Sequence, residues 1–344
     1  QGLLRQSSLQ TIRRDKRAAD LREPPSPHRT GSALPTPRRT SMAADAVELT
    51  HPERVVFPDS GITKQQVFDY YRAMAHWLLP EIDGRPLSIV RCPQGAGRPC
   101  FFQKHHTPGM DRVEVVPLEE EGGARADYLV VHDDTGLLEL AQFNAIEFHP
   151  WGAHAQAPDL ADRIVFDLDP GPDVAWARVV EAARLVRKRL RALGLASHVR
   201  TSGGKGLHVV VPLKPACPWS QVKDFAHAFA ESMAASEPLA YVATATKKFR
   251  KGRIFIDYLR NGRGATSVAS FSLRAREGAP VAMPLRWEEL GPIKGGDAYT
   301  LASAPRRMAR VGEHPWGDYT RRKQDLAAVA PRLAKAGGKG TGPR

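Results

Sequence analysis

Apolar and polar residues alternate along several short segments of the chain, which is the pattern of half-buried β-strands. The clearest case is 163–169, where Ile164, Phe166 and Leu168 share one face and the polar residues share the other. Further strands are predicted at 87–91, 100–103, 127–132, 137–148, 197–201, 207–213 and 253–259, of which the last alternates in the same way, and a turn at 133–136 separates the third and fourth of them.

Three other segments place apolar residues at helical spacing. Thr63 opens a capping-box pattern ahead of the first helix, which Pro80 should end. Asp173 is the predicted cap of a second helix that Gly194 closes, and a third helix is predicted at about 219–234. Because strands and helices mix without strict alternation, the sequence predicts an α+β (mixed α/β) fold.

Charge divides the 344-residue chain into three regions. Residues 1–45 are basic and rich in proline and lack apolar periodicity, so they are predicted to be a disordered linker, and 326–344 are predicted to be a basic flexible tail. These two ends carry a net +5 and +4 of the total +13, which leaves +4 on the predicted folded domain at 46–325. Net charge alone is therefore weak support for nucleic-acid binding.

Composition also predicts a compartment. No apolar run approaches the roughly 18 residues that a membrane span needs. The three cysteines are too few for a disulfide framework and no signal peptide opens the chain, so a reducing, cytoplasmic setting is expected. A zinc site built from Cys92, Cys100, His105 and His106 is not expected, because the cysteine spacing is longer than zinc sites use.

Carboxylates with a shared direction are the first candidates for chemistry. Asp167 and Asp169 lie two residues apart on one predicted strand, so their side chains project from the same face with Cα atoms about 6.5–7 Å apart. A divalent cation would relieve their repulsion, although solvated side chains at a strand end fit the same pattern. Asp257 lies on another strand inside the basic stretch 247–263, and is either a third metal ligand or a salt-bridge partner.

A glycine-rich connection joins the strands 197–201 and 207–213. Its glycines let backbone N–H groups approach a phosphate, while Ser202, Lys205 and His208 add a hydroxyl, a cation and an imidazole. A plain hairpin turn would also use glycine, but has no need of the other three side chains.

Two further features are each compatible with a binding role or with a structural role. Lys64 stands at the first position of a predicted helix, where N–H groups favour anions, and Arg54 lies ten residues earlier. Phe101 and Phe102 are adjacent in a strand; core packing is the simpler reading for both, and stacking on a base is the alternative.

The order of these motifs resembles the archaeo-eukaryotic primase superfamily. D-L-D at 167–169, S-G-G-K-G-L-H at 202–208 and F-I-D-Y-L-R-N at 255–261 carry that resemblance. H-P-E-R-V-V-F-P at 51–58 and E-F-H-P-W at 147–151 are similar to the polymerase domain of bacterial ATP-dependent DNA ligase D, the multifunctional end-joining enzyme. The resemblance implies a primase-like fold of two β-sheets flanked by helices, with the active site in the groove between them. The linker-like start without Met agrees with excision from a longer chain.

The resemblance also implies roles for particular residues. Asp167, Asp169 and Asp257 would be catalytic metal ligands for two Mn²⁺ or Mg²⁺ ions, with His149 as a further catalytic residue beside the incoming nucleotide. Ser202, Lys205, His208 and Arg274 would bind the triphosphate. Contacts to DNA would come from Arg54 and Lys64 at a 5′-phosphate, Phe102 on the template, and Arg250 near the primer terminus.

The implied activity is a repair polymerase of the nucleotidyltransferase class. It would add ribo- or deoxyribonucleotides to a primer 3′-OH at gaps and double-strand break ends, and its partners would be such DNA, an attached ligase domain and bacterial Ku. Such an enzyme would be nucleoid-associated. A non-catalytic DNA-end-binding module and a metal-dependent phosphoesterase are the alternatives. The triphosphate-binding residues disfavour the phosphoesterase, and retention of all three carboxylates disfavours the binding module.

Overall fold

Two β-sheets with flanking helices make up the structure, which confirms the mixed α/β prediction. It is a computed structural model that describes residues 47–120, 122–322 and 324–337. In these residues the helices are α1 (Lys64–Ile82), α2 (Asp134–Gln142), α3 (Trp176–Leu193), α4 (Trp219–Ser236), α5 (Ser303–Val311) and α6 (Leu326–Gly337). The strands are β1 (Val55–Phe57), β2 (Ile62–Thr63), β3 (Pro86–Arg91), β4 (Phe101–Gln103), β5 (Glu114–Glu119), β6 (Arg125–Val130), β7 (Ala145–Pro150), β8 (Leu160–Pro170), β9 (His198–Thr201), β10 (Leu207–Pro218), β11 (Tyr241–Val242), β12 (Ile254–Asp257) and β13 (Pro284–Leu285).

The strands fall into one short hairpin and two larger sheets. Strands β1 and β2 pair with each other. The six-stranded sheet has the order β11-β12-β8-β10-β9-β13. The five-stranded sheet has the order β4-β3-β6-β5, with β7 also paired to β3. In the described residues no helix is both long and apolar enough to cross a membrane.

Helix α1 begins as its sequence predicts. The Thr63 side chain accepts a hydrogen bond from the Gln66 N–H and the Gln66 side chain accepts one from the Thr63 N–H, which completes the capping box. Lys64 is the first helical residue. The prediction that Pro80 ends the helix is wrong, because the helix continues to Ile82 and the Asp83 N–H still bonds to the Leu79 carbonyl.

The predicted strand at 137–148 is wrong in its first half. Asp133 caps helix α2 by accepting a hydrogen bond from the Gly136 N–H, so the predicted turn at 133–136 is a helix start. Residues 137–141 of this helix are all buried, and a fully buried segment loses the periodicity that distinguishes a helix from a strand. Only the second half of the prediction, as β7, is a strand.

The start of α3 and part of the predicted tail also differ from prediction. Ala175, not Asp173, is the N-cap of α3, while Asp173 adopts a left-handed backbone with φ 66°. Gly194 does close that helix in a left-handed conformation. Part of the tail predicted to be flexible is the helix α6, whose Leu326 and Val329 are buried. The predicted linker 1–45 lies outside the described residues.

The cysteines are also arranged differently from what composition predicts. Cys92 and Cys100 form a disulfide across the β3–β4 connection, and Cys217 is free and buried. Three cysteines cannot build a framework, but two of them here close a local loop.

A glycine at the end of β8 fixes the basic stretch against the six-stranded sheet. The Gly171 N–H bonds to the Arg253 carbonyl, and a Cβ on Gly171 would stand 1.8 Å from the Arg250 carbonyl oxygen. The backbone of 250–253 therefore lies against β8 only because residue 171 has no side chain.

We expect Gly171→Ala to lower the free energy of unfolding by about 1–3 kcal/mol, as overpacking does, because the 250–253 backbone must move away from β8. Urea unfolding measures this. Gly262→Ala is the matched control, since nothing lies within 4 Å of its added Cβ. Equal midpoints for the two variants would contradict the close approach.

Candidate active site

One transverse row of the six-stranded sheet contains three of the predicted site residues. His208 on β10 pairs with Asp167 on β8, and Asp167 pairs with Asp257 on β12. Directly paired residues on antiparallel strands point to the same face with Cβ atoms about 4.5–5.5 Å apart. Asp169 lies two residues farther along β8 on that face, and its side chain is 50% exposed. The strand register therefore brings the three predicted carboxylates to one face.

Arginine side chains neutralise these carboxylates. Arg260 Nε lies 3.6 Å from Asp167 Oδ2, and its Nη2 lies 3.3 Å from Asp257 Oδ2. Arg250 donates to Asp169 Oδ2 at 2.7 Å, and its guanidinium stacks over the Phe255 ring. Sequence analysis placed Arg260 only in the basic stretch, because no local pattern indicates that its side chain bridges two strands.

The donor set fits a hard divalent ion. A guanidinium shared by Asp167 and Asp257 shows that this pair accepts a cation, and carboxylate oxygens are the ligands that Mn²⁺ and Mg²⁺ prefer. In the described part of the chain, no three His, Cys, Asp or Glu side chains lie close enough together to hold one ion. The three aspartates would therefore have to draw together, with Arg260 and Arg250 displaced.

The protonation of Asp167 reflects its surroundings. Burial, opposed by Arg260 and reinforced by the neighbouring Asp257 and Asp169, raises the pKa of this carboxyl to about 7. Asp167 is therefore close to half protonated at neutral pH, and a cation between the carboxylates would ionise it.

The glycine-rich connection is a tight turn beside this row. The Ser202 hydroxyl accepts a hydrogen bond from the Gly206 N–H at 3.2 Å. A Cβ on Gly206 would stand 2.3 Å from the Leu168 carbonyl oxygen, and Gly203 has φ 64°. These glycines are thus required by packing and backbone shape, whatever they bind. Lys205 at the tip of the turn is exposed.

The imidazole of His208 lies between the turn and the carboxylates. Its Nδ1 is 3.2 Å from Arg200 Nε, and its Nε2 is 3.5 Å from Asp167 Oδ1. Burial, followed by the charge of Arg200, holds the pKa of His208 well below its ordinary value.

The five-stranded sheet supplies the opposite wall. His149 on β7 is buried, and its Nε2 lies 2.8 Å from Glu147 Oε2. Arg274 donates from Nε to Glu147 at 2.9 Å and from Nη1 to the Ser202 carbonyl, so it joins this wall to the glycine-rich turn. Glu147 was missed as a site residue, although it stands in the E-F-H-P-W motif.

Glu147 remains ionised despite its burial. Burial raises its pKa, but the hydrogen bond from His149 and the charge of Arg274 bring that pKa to about 2. Burial also lowers the pKa of His149. Glu147 therefore orients both His149 and Arg274 as a fixed negative charge.

The two phenylalanines are more exposed than simple core packing predicts. Phe101 is 47% exposed and Phe102 is 62% exposed. The Phe102 ring lies edge-on to His149, with ring centroids 5.2 Å apart. The prediction of core packing is therefore wrong for both residues, and the Phe102 ring is exposed next to the predicted nucleotide site.

Arg54 and Lys64 form a separate basic pair at the start of α1. Lys64 Nζ donates to the Thr50 carbonyl at 2.9 Å and to Gln142 Oε1 at 2.8 Å. Burial and then the charge of Arg54 lower its pKa to about 8. Arg54 donates to the Pro93 carbonyl inside the disulfide-closed loop. Neither residue has an ion pair with the aspartates.

The chain is similar to several known proteins. The family model "LigD, primase-polymerase domain" matches residues 63–316. The chain is 37% identical over 339 residues to the multifunctional non-homologous end joining protein LigD of Pseudomonas aeruginosa, covering 96% of this chain and 40% of that protein. With the LigD protein of Mycobacterium tuberculosis H37Rv it shares 34% identity over 307 residues, covering 86% of this chain and 39% of that protein.

A solved structure is also similar. It is the polymerase domain from Mycobacterium tuberculosis ligase D in complex with DNA, with a TM-score of 0.73 and 33% identity, covering 78% of this chain and 96% of that chain. The present chain spans about two fifths of the length of the curated relatives above.

The raised pKa of Asp167 predicts a pH-dependent loss of stability. The folded state binds this proton up to about pH 7, whereas the unfolded chain releases it near 3.8, so ionisation destabilises the fold as pH rises through this range. Between pH 5 and 8 the loss should be about 2–3 kcal/mol, from about 1.4 kcal/mol per pH unit.

Asp167→Asn should remove this loss, measured by urea unfolding in the presence of a chelator. Asp224→Asn, at an exposed position on α4, is the control and should follow the wild type. If Asp167→Asn and the wild type lost stability in parallel between pH 5 and 8, Asp167 would not be the titrating group.

Proposed function

The chain belongs to the LigD primase-polymerase domain family, and from this we propose that it is a nucleotidyltransferase that extends a primer 3′-OH at gaps and double-strand break ends. The observation that carries this proposal is the row His208–Asp167–Asp257, in which two acidic side chains share a cation beside the glycine-rich turn. Substrates would be ribo- or deoxyribonucleoside triphosphates.

Two divalent ions, Mn²⁺ or Mg²⁺, are proposed to bind Asp167, Asp169 and Asp257. When bound, such ions favour ionisation of the attacking hydroxyl and neutralise the leaving pyrophosphate. The chain's own contribution is to provide the carboxylates on one rigid face and to withdraw Arg260 and Arg250 from them. The released guanidinium groups are then free to bind phosphate oxygens bidentately.

The turn 202–206 and the side chains around it are proposed to hold the triphosphate. Lys205 provides an exposed charge, and Arg274 is already oriented by Glu147. His208 and His149 stand at the two walls. His208 can donate a hydrogen bond to an oxygen on which charge develops, whereas His149 is held by the contact of its Nε2 with Glu147. Phe102 offers its exposed ring to a template base.

The basic pair at the start of α1 is proposed to capture a 5′-phosphate across a gap. Two features favour an anion there: the Lys64 ammonium at the N-terminal end of α1 and the exposed Arg54 guanidinium. An attached ligase domain and bacterial Ku are proposed partners, by analogy with the multifunctional relatives.

The alternatives differ in what the carboxylates do. A DNA-end-binding module would not need Asp167 or Asp169 for its activity, and a phosphoesterase would need them without needing a nucleoside triphosphate. Nucleotide addition that depends on the carboxylates separates the proposal from both.

Replacing a carboxylate should abolish extension without abolishing binding. We expect Asp167→Ala or Asp169→Ala to lower extension of a gapped primer–template with Mn²⁺ and NTP by at least about 10³-fold, because the site loses charge needed to hold the ions. Duplex affinity at one stated salt concentration should change little. Comparing NTP with dNTP in the same assay measures the sugar preference.

Asp224→Ala is the matched control, since it removes an exposed carboxylate on α4 that is not part of the row. Unchanged extension in both Asp167→Ala and Asp169→Ala would refute the metal assignment. Release of phosphate or a nucleotide from the DNA end, without addition, would favour the phosphoesterase.

The lowered pKa of Lys64 predicts pH-dependent recognition of a 5′-phosphate. Above about pH 8 the ammonium loses its proton, so affinity for 5′-phosphorylated gapped DNA should fall by up to tenfold per pH unit. Fluorescence anisotropy from pH 7 to 9.5 measures this.

Two controls accompany the titration. Gapped DNA with a 5′-hydroxyl should show little pH dependence, and Lys64→Arg should make the phosphate-dependent affinity flat, because a guanidinium stays charged throughout. An identical pH profile for both DNAs would exclude Lys64 as the phosphate ligand.

A further inference from the structure

A buried ion cluster lies directly behind His208 and has no part in the proposed reaction. It consists of Glu81 from α1, Arg163 from β8 and Arg200 from β9, all buried, with Arg200 fully so. Both arginines pair with Glu81 Oε1. One of them extends farther: Arg200 pairs with His208 across the β9–β10 register, and so continues the row that holds Asp167 and Asp257.

The contact between Arg200 and His208 fixes the position of a proton. Arg200 Nε lies 3.2 Å from His208 Nδ1. A guanidinium carries only donors, so Nδ1 must accept the hydrogen bond with its lone pair. A neutral imidazole that accepts at Nδ1 carries its proton at Nε2. That nitrogen lies 3.5 Å from Asp167 Oδ1, on the side of the proposed reaction.

Arg200 is held so that it cannot turn away from His208. Besides Glu81, its guanidinium donates to Ser270 Oγ at 3.3 Å and to Ser267 Oγ at 3.2 Å. Glu81 is fixed in turn by the Ser270 N–H at 2.8 Å. The fold itself therefore holds Arg200 Nε against His208 Nδ1.

We propose that Arg200 is a positioning residue which, anchored by Glu81, holds His208 as the neutral Nε2–H tautomer. His208 then presents a hydrogen-bond donor, and not a base, to Asp167 and to the phosphate oxygens of a nucleoside triphosphate. The consequence for catalysis rests on the proposed function; the tautomer does not.

A purely structural role for Arg200 would be to neutralise Glu81. Arg163 does that too, with Nη1 at 3.3 Å from Glu81 Oε1, and the row register gives it no contact with His208. Arg163→Gln is therefore the matched control: it takes an equally buried cation from Glu81 and leaves the Nδ1 contact in place.

The first measurement needs no destabilising variant. Long-range ¹⁵N–¹H spectra of the histidine-labelled protein, without DNA or nucleotide, identify which ring nitrogen carries the proton. The His208 signals are assigned by their loss in His208→Gln. We expect only Nε2 to be protonated at pH 7.5. A proton on Nδ1, or on both nitrogens, would overturn the proposal even if the domain polymerises.

Variants then test the cause of the tautomer. Arg200→Gln should give a mixture of tautomers, and Arg163→Gln should retain the wild-type pattern. An unchanged His208 spectrum in Arg200→Gln, or the same change in both variants, would mean that Arg200 does not set the tautomer.

Primer extension tests the functional consequence. Arg200→Gln should lower kcat by about 10–100-fold, a typical effect of losing the residue that orients a reactive histidine. In a His208→Ala background the same substitution should have no further effect, because Arg200 acts through that imidazole. Additive losses would refute this. If no variant polymerises while the tautomer is as stated, the proposed function fails and the positioning role stands.

Discussion

Like charges held together on one sheet face are the constraint from which the rest of the site follows. Asp167 and Asp257 are paired by strand register, so their carboxylates cannot separate without breaking the sheet. Burial of Asp167 and its repulsion with Asp257 have to be offset by protonation or by a cation, and both occur: burial and then this repulsion raise the pKa of Asp167, and Arg260 bridges the pair. The sheet thus creates a site that favours positive charge, and the Arg260 guanidinium can exchange with a metal ion there.

A second charge cluster on the same sheet face works in the opposite way. Glu81 is fully paired, and although burial raises its pKa, Arg200 and Arg163 bring that pKa to about 2. Neither arginine of this cluster can be exchanged for another cation, since removing one partner would leave a buried charge unpaired. One part of this sheet face therefore carries replaceable charge and another part carries fixed charge, and His208 touches both. A catalytic site needs this combination, because its ligands must change while their supports do not.

The sequence predicted the parts that depend on local pattern and missed those that depend on distant partners. Alternation identified β8 and β12, and hence the shared face of Asp167 and Asp169. The same method misread α2, because a short and fully buried segment has no polar face to reveal its period. Glu81, Arg200 and Arg260 could not be found, since their partners lie on other elements; Glu81 and Arg200 are 119 residues apart. The roles of the motif residues came from family resemblance and stay predictions.

The glycine-rich turn shows why a motif alone cannot separate packing from binding. Gly206 is required because a Cβ would meet the Leu168 carbonyl of β8, and Gly203 because a Cβ would meet both Arg274 and the backbone near Val281. These contacts shape the turn before any ligand arrives, and the Ser202–Gly206 hydrogen bond locks it. N–H groups that are fixed in advance need no ordering on binding, which lowers the free-energy cost of holding a phosphate. Packing and binding are therefore not rival explanations for these glycines, since the packing is what makes the proposed cradle rigid.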